Sequence, residues 1–313
     1  MAARWRHKEQ AVSFEPILLA PQKEEQEIYP YRRVWRTASI EVVVLLSVTV
    51  ASVIVSRFWT PSLTETQRHV IGMGYALLPF FLWVGISYWA ERRAQEPRAR
   101  LFTVVILGAL VANAVGVPLV DRVFAVDEWL TTASGSSRII GYMLTVGITQ
   151  EFLKYAVVRY SAWPGCFRIR SDGVAYSVAA AVGYATVLNV NFAVNTSATP
   201  AVYALQIAEA TLAQVAISPI MGYFLSELKL TRNTGIFWLP GGLLLAAFLA
   251  ALVIVLRGGL IVGGISPNTT ASNAFQGLGA SVFLVVFLFS SVYFLINNAD
   301  ERARLSRRPE FLQ

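Results

Sequence analysis

Eight predominantly apolar runs, each about 20 residues long, follow one another along this chain of 313 residues, and that length is what the hydrocarbon core of a bilayer requires of a spanning helix. They cover 38–57, 70–90, 101–120, 139–158, 174–194, 202–225, 237–256 and 275–296. The third has room to run further, and the seventh opens at Pro240-Gly241-Gly242. Apolar residues make up 55% of the chain and charged ones only 14%, a composition foreign to soluble domains of this size. The expected fold is therefore all-α: a polytopic membrane protein with eight transmembrane helices. A polar tail over 1–37 precedes the membrane domain at 38–296, and a basic tail follows at 297–313. The first run comes after a long polar segment with no short basic leader, so it reads as a span and not as a cleaved signal.

The basic residues alternate with these runs. Twenty of the 26 Lys and Arg fall in the two tails and in the loops after the second, fourth and sixth spans. Five (Arg57, Arg68, Arg122, Arg138 and Arg257) fall on the other side, and Lys154 lies inside a span. Cytoplasmic loops carry the excess of Lys and Arg, so both termini are expected in the cytoplasm. The net charge of +7 then follows from topology and gives no reason to expect nucleic acid as a partner. The expected environment is the lipid bilayer, with a transmembrane protein as candidate partner or substrate. Cys166 is the single cysteine, so it forms no internal disulfide and builds no zinc site by itself.

Charged groups at bilayer depth are costly and usually face a protein interior. Glu151 and Lys154 stand three residues apart in the fourth span, which puts them on one helix face. Gln150 precedes them. The fifth span brings Asn189 and Asn191 after the small-residue stretch 177–183, and the sixth brings Gln206, Glu209 and Gln214. Small residues let helices approach closely, and polar side chains bond across the gap. The three central spans are thus expected to form a polar core wrapped by the others, with Asp172-Gly173 at its cytoplasmic mouth. Two readings stand on polarity alone: an ion-pair network that only holds helices together, or a functional cavity.

The stretch from Gln150 to about Leu225 resembles the PrsW family of intramembrane proteases. That family carries Glu-Glu-x-x-Lys in one helix, where this chain reads Gln150-Glu151-Phe152-Leu153-Lys154. An Asp-Gly follows, here Asp172-Gly173, before a helix that runs to Gly-Phe-Ala-x-x-Glu-Asn, here Gly183-Tyr184-Ala185-Thr186-Val187-Leu188-Asn189. The next helix has a His and a Met-Gly-like exit, here Gln214 and Met221-Gly222. The resemblance implies a PrsW-like core at about 139–256, in a multi-pass protein of the bacterial cytoplasmic membrane. It also places that core in a wider group with prenyl-protein endopeptidases and a non-catalytic scaffold subunit of gamma-secretase.

The departures from the family pattern fall on its chemistry. The resemblance implies glutamates that activate water and histidines that bind metal or support an oxyanion. The first motif glutamate is Gln150, the second-motif glutamate is Leu188, the histidine is Gln214, and a later His-Gly pair falls near Ala250-Ala251. The only histidines are His7 in the tail and His69 at the start of the second span. An amide hydrogen-bonds but takes no proton near neutral pH. Zinc catalysis needs about three protein ligands. The reading is a pseudoprotease without metal or other cofactor that binds a transmembrane segment or lipid. Glu151 and Lys154 form its ion pair, and Gln150, Asn189 and Gln214 supply hydrogen bonds. Alternatives are an active endopeptidase with Glu151 as base, and a transporter.

Overall fold

A computed structural model describes residues 34–58, 62–94, 97–130, 133–231, 235–262 and 270–305. Residues 1–33 of the first tail and 306–313 of the second lie outside the described residues. Every regular element among them is helical. In chain order these are α1 (Val34–Phe58), α2 (Glu65–Arg92), α3 (Leu101–Val111), the short α4 (Val126–Trp129), α5 (Gly135–Tyr142), α6 (Ile148–Ser161), α7 (Arg170–Asn195), α8 (Pro200–Leu230), α9 (Trp238–Val262) and α10 (Thr270–Leu305).

Local chemistry sets several of these starts. Thr64 caps α2: its hydroxyl accepts from the Gln67 N–H at 3.4 Å, and the Gln67 side chain accepts from the Thr64 N–H at 3.0 Å. Pro200 opens α8 where a missing N–H costs nothing. The Asp172 carboxylate accepts the N–H groups of Arg168 and Ile169 at 2.9 and 3.1 Å and so starts α7. Pro219 lies within α8, which is assigned as one continuous helix through it.

Seven helices among the described residues are long and apolar enough to cross a membrane. The eighth expected span is α5 and α6 joined into one helix over 135–161 by a π segment, Met143–Gly147. This is the helix that carries Glu151 and Lys154, so its lower apolarity is the signature of the site itself. The third span extends past its expected end, through further π segments at Ala112–Gly116 and Leu119–Phe124. The last runs to Leu305, beyond the apolar run that predicted it.

Two helices make the interior. Their apolar windows are 83% buried in α8 and 61% in α7, against at most 33% in α1, α2, α3, α9 and α10. The reason is backbone contact. A methyl group added at Gly173 of α7 would run into the Gly222 carbonyl and Ser226 hydroxyl of α8. One added at Gly222 would strike the Gly173 carbonyl in return. Farther along α7, the carbonyl of Ala180 would lie 2.6 Å from a methyl at Gly108 of α3, and Gly183 abuts the Val105 carbonyl. The small-residue stretch therefore acts as expected, seating α7 between α3 and α8.

Candidate functional site

The fourth residue of α6 is Glu151, and Lys154 lies one turn on. Both are sealed, at 1% and 2% exposure. The Lys154 Nζ donates to Glu151 Oε1 at 2.6 Å and to Gln214 Oε1 of α8 at 2.5 Å. Gln214 Nε2 donates in turn to Gln150 Oε1 at 2.6 Å. These bonds orient the Gln214 amide, with oxygen toward the ammonium and nitrogen toward Gln150. Four sequence-selected residues thus form one chain, Glu151–Lys154–Gln214–Gln150, across two helices. Residues expected to line a polar cavity here bond to one another.

The other candidates sit elsewhere. Asn189 is buried on α7, and its Nδ2 donates to Thr211 Oγ1 of α8 at 3.0 Å, a separate tie that joins α7 to α8. Leu188 is partly exposed. Glu209 is buried on α8, more than a turn before Gln214. Ala250 and Ala251 are buried in α9. Asp172 belongs to a clamp at the start of α7. Its Oδ1 accepts from Arg98 Nε at 2.9 Å, and the same guanidinium reaches Glu91 Oε1 at 2.7 Å. Burial weakens the charge of Arg98, but Asp172 and Glu91 outweigh it and hold the guanidinium above its ordinary pKa. This clamp ties the α2–α3 loop to α7.

Three groups escaped the sequence reading. Tyr184 is 1% exposed, and its hydroxyl abuts Gly116 in the π segment without a hydrogen-bond partner. Lys154 Nζ lies 5.9 Å from its ring centroid. Glu151 Oε2 is likewise buried and unpartnered. Only the phenol in place of the family's Phe, in Gly183-Tyr184-Ala185, signals this. Glu41 of α1 is 2% exposed with neither carboxylate oxygen bonded, so the intramembrane polar groups are not confined to the three central spans. Its signal was the one that marked Glu151, a charge within an apolar run. Thr211 gave no signal, since a threonine in an apolar helix commonly bonds its own backbone.

Helices that bury charged and amide groups at bilayer depth define an integral multi-pass membrane protein built around an intramembrane polar core. The sequence model of the PrsW family intramembrane metalloproteases matches residues 96–292, and the chain belongs to that family. No curated protein and no solved structure matches it.

A metalloprotease implies a metal, and the residues present do not fit one. Among the described residues no three His, Cys, Asp or Glu side chains stand together to hold an ion. The Glu151 carboxylate faces the Lys154 ammonium, which already supplies the positive charge there. Its neighbours Gln150 and Gln214 are neutral amides, weak ligands beside carboxylate or imidazole. His69 lies at the opposite end of the helices, its Nδ1 3.1 Å from the Ala193 carbonyl near the end of α7.

Proposed function

We propose that this PrsW family member is a pseudoprotease, a membrane scaffold that binds a transmembrane segment or lipid headgroup and does not cleave it. The observation that carries the reading is the closed chain Glu151–Lys154–Gln214–Gln150. Hydrolysis needs a group to take a proton from water and donors for the oxyanion. In this chain the two amides at motif positions engage each other and the lysine. Both termini lie in the cytoplasm, as the distribution of Lys and Arg supports, and the family points to the bacterial cytoplasmic membrane as the setting. Transport finds little support in α8, which continues through Pro219, or in α9, where Pro240 falls in the first turn.

One observation favours a second reading, an endopeptidase reduced to Glu151. The Glu151 Oε2 and Tyr184 hydroxyl are both buried without partners in one neighbourhood, and such groups bind ordered water. Elemental analysis of the purified protein and a transmembrane-peptide cleavage assay at several pH values separate the two. The pseudoprotease has no stoichiometric metal and no turnover. Turnover that disappears in Glu151→Ala establishes the second reading and overturns the first.

A further inference from the structure

The first turn of α3 lies between the ends of α2 and α6. Tyr88 of α2 meets Phe102 of α3 with ring centroids 6.5 Å apart, and Arg100 Nη1 donates to the Ser161 carbonyl at 3.0 Å. This rim carries four arginines: Arg92 and Arg93 ending α2, Arg100 before α3, and Arg159 near the end of α6. Other arginines nearby are neutralised. Arg98 pairs with Asp172 and Glu91, and Arg170 with Glu227 and Asp300. Among the described residues, none of the four rim arginines has a carboxylate partner.

Three of them lie over aromatic rings instead. The guanidinium carbon of Arg159 is 3.4 Å from the Trp163 ring centroid, that of Arg93 is 3.7 Å from Trp89, and that of Arg92 is 5.3 Å from Tyr88. Stacking engages the flat face of a guanidinium and leaves its N–H edges for a planar or tetrahedral oxyanion. Arg159 Nη1 is already buried and has no acceptor among the described residues. A buried charged donor without an acceptor is unfavourable, so the site is one oxygen ligand short. Tyr88, Trp89 and Tyr160 are exposed beside these cations, at 52%, 51% and 87%, as rings at the headgroup level of a bilayer are.

We propose that this rim binds the phosphate of an anionic phospholipid, with Arg159 and Arg100 as the principal contacts and Arg92 and Arg93 flanking them. Charge complementarity selects the occupant. Among the described residues these four cations have no carboxylate partner, which favours a lipid of net negative charge over a zwitterionic one, whose ammonium group would be repelled. The exposed rings take the glycerol and upper acyl region. The surface is remote in role from Glu151 and Gln214, so it stands whether or not the chain cleaves peptides.

The test uses the full-length protein in nanodiscs of phosphatidylcholine with a minor fraction of phosphatidylglycerol, and native mass spectrometry of the lipids retained after release. Wild-type protein should retain phosphatidylglycerol in preference to phosphatidylcholine by roughly tenfold or more. The double variant Arg100→Gln/Arg159→Gln should bring that preference to within about twofold. The control Arg57→Gln/Arg68→Gln, on the opposite rim, should leave it unchanged. Equal retention of the two lipids by the wild type overturns the proposal and needs no variant. So does an unchanged preference in the Arg100/Arg159 variant, an equal loss in the control, or full displacement by millimolar glycerol phosphate, which would mark a free-anion site. If the double variant does not fold, detergent-solubilised wild type titrated with each lipid decides the matter. A rise in melting temperature with phosphatidylcholine as large as with phosphatidylglycerol is the contrary result.

Discussion

Lys154→Met tests whether the polar chain is structural. The ammonium makes two short hydrogen bonds, at 2.6 Å to Glu151 and 2.5 Å to Gln214. Methionine matches its length but supplies neither donor nor charge. Glu151 is then left buried at 1% exposure with no partner on either oxygen, since its Oε2 has none already. Removing one member of a buried ion pair costs about 3–5 kcal/mol in soluble proteins. Hydrogen bonds are worth less against a membrane-embedded reference state, about 0.6 kcal/mol on average, so the lower end of that range is expected, about 3 kcal/mol. The assay is equilibrium unfolding in mixed detergent micelles, with thermal denaturation as a second measure. Glu151→Gln in the Lys154→Met background removes the stranded charge and should recover at least half of the loss. The reasoning fails if Lys154→Met lies within about 0.5 kcal/mol of wild type, or if the two losses add in the double variant, because additive losses mean separate partners.

Two further outcomes are expected. Gly173→Ala should destabilise by about 1–3 kcal/mol, because its methyl meets the Gly222 carbonyl, whereas Gly85→Ala, with open space around it, should be neutral or stabilising by about 0.5–1 kcal/mol; unfolding in micelles compares them, and equal effects would refute the backbone-contact account. Reporter fusions after Thr60, Leu130, Ala198 and Ile265 should all report the outer side, and a cytoplasmic signal at any one overturns the proposed topology.

Much of this architecture can be read from the sequence, because the bilayer imposes a length on each apolar run. The run at 174–194 anticipates α7, and the run at 202–225 lies within α8. The π segments left no mark, since one extra residue per turn changes no residue type. The Glu151, Lys154 and Gln214 chain was legible because polar groups stand out against an apolar run. Arg98 was not, because an arginine in a basic loop first reads as a topology marker; only the packing of the α2–α3 loop against α7 turns it into the partner of Asp172. Asn189 was found, but helical spacing does not say which residue of α8 meets it. Its partner proved to be Thr211.

Charge balance bears on the proposed scaffold, in which Gln150 and Gln214 stand where the resemblance implies an acid and an imidazole. Glu151 and Lys154 contribute one negative and one positive charge to a sealed volume, so the chain of four side chains is neutral as it stands. A second carboxylate at position 150 would leave that volume with excess negative charge, to be relieved only by a proton, a cation or an opening to water. An imidazole at position 214 would add a titratable group beside Lys154. With Gln150 and Gln214 both neutral, the hydrogen bonds of the chain form without a proton gained or lost. In the proposed scaffold, Gln150 and Gln214 beside the retained Glu151 and Lys154 give a core held by hydrogen bonds with no net charge.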